Sequence, residues 1–279
     1  MQIELQFSSS GENLLPFGYQ YELASALYRI LTARAPALAK ELHDGAHRSR
    51  IKLFVFSPLN SEPRPEPGKL PDGRGGLKFG TRVWMRFGSI WPELLYQMAD
   101  ALQQQGELCI CGRKFKLKSL TMVKTPEFRP EMTYRPFGQA GFLVCPYKQN
   151  GKTLYQLPDD SEPGIPSCRE LIAGNLRHKL LRLREIRPDV FENILSIGHL
   201  TAEAVSQLPL QVEFLPLSET HAYRTRLIRF KGVNVRGFRA PVRITAPEAV
   251  HRMIWSTGLG ALNSGGWGLM ELGRNSTCC

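Results

Sequence analysis

Two segments of the chain contain residues whose types and spacing could support chemistry, and the first is a pair of histidines. His43 and His47 lie four residues apart, with Asp44 between them. Two histidines at helical spacing could form half of a zinc site. No cysteine or third histidine lies nearby, and Gly45 with the basic run after it favours a loop over a helix. We therefore expect no bound metal.

The second segment is the glycine-rich stretch Gly258-Leu-Gly-Ala-Leu-Asn-Ser-Gly-Gly-Trp-Gly268. Successive N–H groups without side chains can bind an anion such as a phosphodiester. Thr245-Ala-Pro-Glu248 has the pattern of a capping box and predicts a helix to about Ser256, which gives the order helix, glycine loop, strand. This order differs from that of a Rossmann or Walker site, so we expect no nucleotide or other cofactor. The alternative is that the glycines only allow a tight turn.

The composition indicates a polyanionic partner. The 279 residues have a formal net charge of +11, which favours nucleic acid first and an anionic membrane second. No run approaches the roughly 18 apolar residues of a membrane span, and Met1–Phe7 alternates like a strand instead of a signal sequence. The six cysteines lack zinc-site spacing, so reduced thiols are expected. These features predict a soluble, cytoplasmic protein without a membrane partner.

The first half has the order β-α-β-β-α-β, which is the ferredoxin-like unit. Its helices are predicted from apolar residues at helical spacing and its strands from alternation. The Pro- and Gly-rich stretch 58–80 is predicted to be a long, mobile, protease-sensitive hairpin loop. The predicted elements are strands at 2–7, 52–57, 82–87 and 108–120, helices at 19–33 and 90–102, and a short helix at 36–43.

Turn signals between Thr125 and Gly138 place a domain boundary there. We expect an N-terminal domain at 1–125 and a C-terminal domain at 138–273. Ser167-x-x-Glu170 predicts a capped helix, with the basic residues Arg177, Lys179, Arg182 and Arg184 outside its apolar stripe. Because the second half repeats the first with variations, we predict an α+β fold of two tandem ferredoxin-like, RRM-like domains with a C-terminal glycine-rich loop.

A basic ribbon is predicted in the second half. Two strands, 223–230 and 233–244, join through Lys231-Gly232. RNA could follow the ribbon, or its side chains could form the solvated outer face of a sheet. The basic residues expected to bind RNA, here and on the capped helix, are Arg177, Lys179, Arg224, Arg226, Arg229, Lys231, Arg236 and Arg239.

The chain resembles the CRISPR repeat-processing endoribonucleases, a family within the repeat-associated RNA-binding superfamily. Gly258-Leu-Gly260, Asn263-Ser264 and Gly266-Trp-Gly268 resemble its GhGxxxxxGhG loop, where h is apolar. At the front, the matching motifs are Leu15-Pro16, Tyr21, Leu27-Tyr28, Leu42-His43 and Lys52-Leu-Phe-Val-Phe-Ser57. Residues 125–210 show little resemblance to the family. In the loop, Ala261-Leu262 lacks the basic residue that family members often have between the glycines, so phosphate contacts would rest on backbone N–H groups.

The resemblance implies that the protein cuts precursor CRISPR RNA within repeats, without metal, and leaves a 5′-hydroxyl and a 2′,3′-cyclic phosphate. It implies His43 as the general base, Lys52 as the residue that stabilises the transition state, and Tyr28 as a residue that orients the ribose or donates a proton. Packing alone would explain Tyr28 equally well, and His47 could replace His43. The remaining residues expected to bind RNA are Arg48, Arg50, Gly258, Gly260, Asn263, Ser264, Gly265, Gly266 and Gly268.

The expected partner is CRISPR repeat RNA in its precursor form, bound by a monomer or homodimer. The main alternative is a non-catalytic RNA-binding subunit of a CRISPR effector complex. A paralogue that holds processed RNA without turnover is a variant of that alternative. A generic basic RNA-binding protein is a third interpretation, but its usual aromatic signature is missing from the strands.

Overall fold

The computed structural model describes residues 1–9, 13–44, 51–197, 201 and 203–273, without the side chains of residues 43, 44 and 197. In the first half the elements are β1 (Gln2–Ser8), β2 (Leu14–Pro16), α1 (Gln20–Arg34), α2 (Pro36–Asp44), β3 (Phe54–Phe56), β4 (Asn60–Glu62), β5 (Glu66–Lys69), β6 (Gly75–Lys78), β7 (Arg82–Ser89), α3 (Pro92–Gln105), β8 (Glu107–Ile110) and β9 (Arg113–Val123).

The first half is built on an antiparallel sheet with the strand order β3-β7-β1-β9-β8, and β4 also pairs with β7. Strand β1 alternates as predicted, because Ile3, Leu5 and Phe7 are buried on one face. Helices α1 and α3 cover that face with their apolar stripes, including Leu27 and Leu94. This arrangement is the ferredoxin-like unit expected from the sequence.

The prediction that 58–80 is a long loop without regular structure is wrong, whereas its mobility and protease sensitivity stay predictions. The segment contains β4, β5 and β6, and β2, β6 and β5 form a three-stranded sheet of their own. Leu15 pairs with Leu77, and Pro67 pairs with Leu77 from the other side. The hydrogen-bonding partner β2 lies far away in sequence, so local Pro and Gly content could not indicate the pairing.

The second half contains β10 (Glu131–Pro136), β11 (Pro146–Gln149), β12 (Lys152–Tyr155), α4 (Cys168–Ile186), α5 (Pro188–Ile197), β13 (Gln211–Phe214), β14 (Arg224–Phe230), β15 (Val233–Arg239), β16 (Val242–Thr245), α6 (Glu248–Thr257) and β17 (Met270–Leu272). Its sheet has the order β13-β16-β10-β17, and β14 with β15 forms a separate ribbon. The predicted strand 233–244 is therefore two strands in two sheets. The proposed division at 125–138 stays a prediction, although β10 lies inside that interval.

The two capping predictions have different outcomes. The capping box of α4 is confirmed, since Glu170 N donates to Ser167 Oγ at 3.3 Å and Ser167 N donates to Glu170 Oε2 at 2.7 Å. Helix α6 is also confirmed, but its capping box is wrong. Thr245 is the last residue of β16 and pairs with Glu131, and the N-cap is Pro247. Thr245 thus belongs to the sheet and lies two residues before the N-cap, where no side-chain cap hydrogen bond is formed.

The two halves meet where the C-terminal end of α6 packs against β1 and β7. Gln2 Nε2 donates to the carbonyl oxygen of Trp255 at 2.7 Å. Leu53 and Ile90 from the first half belong to the apolar core of the second. This contact fixes the glycine loop, which follows α6, against the first half. No described helix is long and apolar enough to cross a bilayer.

Candidate active site

Lys52 and Tyr28 form the centre of the candidate site. Helix α1 presents Tyr28, which packs edge-on against Phe54 with ring centroids 5.9 Å apart. Lys52 lies two residues before β3, and its Nζ donates a hydrogen bond to the Tyr28 hydroxyl. The same Nζ is 4.4 Å from the centroid of the Tyr28 ring. Because Lys52 donates to the tyrosine oxygen, the tyrosine O–H proton is free for another acceptor.

Burial changes the proton affinity of both groups. Desolvation raises the pKa of Tyr28 well above its usual range, so the phenol keeps its proton at neutral pH. Desolvation lowers the pKa of Lys52, and the positive charge of Lys231 lowers it further. Lys231 therefore acts electrostatically on Lys52 although it is distant in sequence.

A cleft of about 950 Å³ opens beside this pair. Helices α1 and α2 form one wall, which includes Tyr28, Pro36 and Lys40. The turn between β14 and β15 and the glycine loop form the other wall. The residues contributed by that second wall are Phe230, Lys231, Leu262, Ser264 and Gly265.

The turn of the β14–β15 ribbon is anchored on α1. The predicted Lys231-Gly232 turn is confirmed, because Phe230 pairs with Val233 and both turn residues have positive φ, 50° and 79°. Lys231 Nζ lies 5.3 Å from the centroid of the Tyr21 ring. Phe230 contacts Tyr21 edge-on and also packs against Trp267, with ring centroids 5.7 and 4.6 Å apart. The aromatic contacts thus join α1, the ribbon and the glycine loop.

The glycines of the loop are required by the chain's own backbone. Gly258, Gly260, Gly266 and Gly268 all have positive φ. A Cβ at Gly268 would lie 2.0 Å from the Leu259 carbonyl oxygen, and one at Gly260 would lie 2.8 Å from that of Val144. Asn263 Nδ2 donates across the loop to the carbonyl oxygens of Leu259 and Trp267, at 3.2 and 3.0 Å. The tight-turn interpretation therefore accounts for the glycines at the base of the loop.

The tip of the loop has a different character. Among the described residues, the N–H groups of Leu262, Asn263 and Ser264 donate to no protein acceptor. Leu262 and Ser264 line the cleft. Unpaired N–H groups at the edge of a basic cleft suit an anionic oxygen atom. The loop can therefore be tightly folded at its base and still offer donors at its tip.

The histidine assignments rest on residues that the structure describes only in part. His43 lies in the last turn of α2, and its side chain is outside the described part. His47, Arg48 and Arg50 lie outside the described residues. Within the described residues, no three His, Cys, Asp or Glu side chains come together to hold a metal ion.

The prediction that Lys179 lies on the outer face of its helix is wrong. Lys179 is 1% exposed, and its Nζ donates to the carbonyl oxygens of Thr257 and Gly258 at 3.2 and 2.7 Å. Burial lowers its pKa to about 7. Arg182 is also buried, with 9% exposure. Arg177 is half-buried, and it donates to the Leu208 carbonyl oxygen at 2.9 Å. Lys179 supports the base of the glycine loop from inside, where RNA cannot reach it.

The ribbon arginines separate into two groups. Arg229 and Arg236 are exposed on the outer face. Arg224, Arg226 and Arg239 line a second cavity of about 560 Å³ together with Arg64 and Arg135. Neither Arg64 nor Arg135 is among the residues predicted to bind RNA, because Arg64 lies in the segment predicted as a loop and Arg135 lies on β10. Glu271 also lines this cavity, and its Oε1 lies 3.1 Å from Arg135 Nε, so it neutralises part of the positive charge of the arginines.

Comparison with protein families matches both halves of the chain. Residues 14–121 match the family described as CRISPR-associated protein Cas6, N-terminal. Residues 143–272 match CRISPR associated protein Cas6, C-terminal. A curated relative, the CRISPR-associated endoribonuclease Cas6 1 of Methanocaldococcus jannaschii, is 38% identical over 127 residues. The match spans 46% of this chain and 47% of the relative's length.

Solved structures agree on the fold. A Cas6-related protein from Pyrococcus furiosus has a TM-score of 0.69 and 18% identity, covering 98% of each chain. A RAMP protein described as binding different RNA substrates has a TM-score of 0.68 and 20% identity, covering 98% of this chain and all of that one. The fold is therefore that of a tandem ferredoxin-like protein with a C-terminal glycine-rich loop. The chain belongs to the Cas6 family of CRISPR-associated proteins.

Proposed function

We propose that this protein is an endoribonuclease that cuts precursor CRISPR RNA within its repeats, without a metal ion. The 2′-hydroxyl oxygen attacks the adjacent phosphorus, the P–O5′ bond breaks, and the products have a 2′,3′-cyclic phosphate and a 5′-hydroxyl. The observation that supports this most strongly is the Lys52–Tyr28 pair, which lines a cleft with Lys231 and the glycine-loop tip. The curated relative is an endoribonuclease by name.

Each proposed role follows from the chemistry that the reaction requires. The ammonium of Lys52 stabilises the negative charge of the pentavalent phosphorane, and the free N–H groups at the loop tip add donors. Tyr28, protonated and with its O–H proton uncommitted, donates to the departing O5′ or to the ribose. The half-buried setting strengthens both interactions relative to water.

His43 is the proposed general base. Pro36, Ala39 and Lys40 of helix α2 line the cleft, and His43 follows Ala39 by four residues and Lys40 by three. Residues at these spacings are neighbours on a helix surface. An imidazole takes a proton readily near neutral pH. His47 is the alternative base, because it follows four residues later.

The proposal is tested by cleavage of a labelled CRISPR repeat RNA in EDTA. Wild type is compared with His43→Ala and His47→Ala, and the RNA with a copy that has a single 2′-deoxy residue at the cut site. We expect wild type to cut the RNA in EDTA, and we expect cutting to be lost with the 2′-deoxy RNA and with His43→Ala. The downstream product should have a 5′-hydroxyl, so a kinase should phosphorylate it without prior dephosphorylation. Loss of cleavage in His47→Ala alone would identify His47 as the general base instead of His43. Tight binding without cleavage would support the non-catalytic subunit instead.

A further inference from the structure

The ribbon turn brings a second lysine into the cleft that contains Lys52. Lys231 is the first residue of the two-residue turn between β14 and β15, and it lines the same cleft as Lys52 and Tyr28. Its charge acts on Lys52. Two cations in one cleft repel each other, and that repulsion is relieved when an anion enters between them.

The position of Lys231 is fixed by the surrounding structure. The turn residue has φ of 50°, a conformation that the short turn imposes. Its ammonium lies 5.3 Å from the centroid of the Tyr21 ring, a cation–π contact. Tyr21 in turn contacts Phe230, the residue before Lys231. Lys231 has no described carboxylate partner, so its charge is available to a ligand.

We propose that Lys231 is a second catalytic cation, which contacts a non-bridging oxygen of the scissile phosphate from the side opposite Lys52, and that Tyr21 is its positioning residue. This inference rests on the proposed function, since it assumes that the cleft holds the scissile phosphate. The C-terminal half then contributes directly to the reaction in addition to binding RNA.

The titratable and charged groups near Lys52 come from several elements. Tyr28 and Arg29 lie on α1, Lys40 lies on α2, and Lys231 lies on the ribbon turn, all around the main cleft. Glu41 of α2 and Arg182 of α4 line a smaller cavity of about 50 Å³ that Lys52 also lines. Among these groups, Lys231 is the one whose charge lowers the pKa of Lys52. Removing it should let that pKa rise.

The test is single-turnover cleavage of repeat RNA across a pH series, at saturating protein. Lys231→Met should lower the plateau rate by about 10²-fold, the usual size for loss of one transition-state donor, while RNA affinity changes much less. The alkaline limb of the profile should move to higher pH, because Lys52 keeps its proton longer. Lys231→Arg should retain most of the rate.

Three variants separate this role from a structural one. Tyr21→Leu removes the ring and should reproduce part of both effects, whereas Tyr21→Phe keeps the ring and should behave like wild type. Lys152→Met is the matched control, since Lys152 is an exposed lysine beside another hairpin turn, Asn150-Gly151. The Lys152→Met variant should cleave the RNA at the wild-type rate.

The outcomes also distinguish the inference from the function that it assumes. If wild type cuts the RNA and Lys231→Met matches Lys152→Met in rate and pH profile, Lys231 is not a catalytic cation. If Lys231→Met weakens RNA binding but leaves the saturated rate and the alkaline limb unchanged, the residue binds RNA only, and the inference is likewise overturned. If wild type itself does not cut, the proposed function fails first.

Discussion

Lys52 and Lys179 are two buried or half-buried lysines with lowered pKa values, and they lie in very different surroundings. Lys52 faces an open cleft with a tyrosine hydroxyl and a second lysine. Lys179 is enclosed and donates to two main-chain carbonyl oxygens at the end of α6. Desolvation is the main cause of both pKa shifts. A lowered pKa therefore does not identify a reactive lysine by itself, and the open cavity beside Lys52 makes the difference.

The largest effect is expected for Lys52→Met. Because Lys52 is assigned to stabilise the phosphorane, its loss should reduce the single-turnover cleavage rate by about 10²- to 10³-fold. The unfolding free energy should change little, since the side chain is only half-buried. Rates are measured at saturating protein, so that weaker binding does not contribute. A near-normal rate in Lys52→Met would contradict a catalytic role for Lys52 and leave no functional difference between Lys52 and Lys179.

Gly268→Ala tests the loop that Lys179 supports. The new Cβ would lie 2.0 Å from the Leu259 carbonyl oxygen, at a φ of 75°. We expect a loss of about 3 kcal/mol or more in unfolding free energy, from left-handed strain plus the clash. Gly164→Ala is the control, because it has φ of 79° and open space around it. Equal losses in urea denaturation of the two variants would show that the close contact at Gly268 is unimportant.

Lys179→Met tests how the buried lysine contributes to stability at different pH values. The folded pKa of Lys179 is about 7, against the ordinary value of 10.5. Between these values the unfolded chain holds a proton that the folded chain does not, so wild-type stability should rise with pH in this window. The slope should reach up to about 1.4 kcal/mol per pH unit and vanish below the folded pKa.

The measurement is the difference in unfolding free energy between wild type and Lys179→Met from pH 6 to pH 9. Other titrating groups cancel in this difference. Parallel curves over the whole range would contradict the burial of Lys179. Lys152→Met again controls for the removal of a lysine.

The smallest effect is expected for Tyr28→Phe, which keeps the ring against Phe54 and removes the hydroxyl. If that hydroxyl takes part in the reaction, the cleavage rate should fall by about tenfold, equivalent to one hydrogen bond to a charged group. If Tyr28 only packs, the rate should be that of wild type. Urea denaturation of the same variant checks that the fold is retained.

Sequence patterns predicted the elements that depend on local periodicity. The apolar alternation of β1, the stripe of α1 and the capping box at Ser167 are all present in the structure. The Tyr28 and Lys52 assignments came from the family resemblance, and the structure brings these two residues together.

What the sequence missed depends on partners that lie far away in the chain. Helical periodicity counted Lys179 as an outer polar residue, because its acceptors are on α6 and the glycine loop. The strands within 58–80 need β2 as a partner. The approach of Lys231 to the cleft depends on the Tyr21 and Phe230 contacts. None of these contacts has a local signal.

The central claim is that one cleft, built from both halves of the chain, holds the scissile phosphate. The most direct test is photo-crosslinking of a non-cleavable repeat RNA with 4-thiouridine beside the cut site, followed by peptide mapping. We expect crosslinks both to peptides around Tyr21–Lys52 and to the peptides that contain Lys231 or Leu262–Gly265. Crosslinks confined to the cavity lined by Arg64, Arg135 and Arg224 would contradict it.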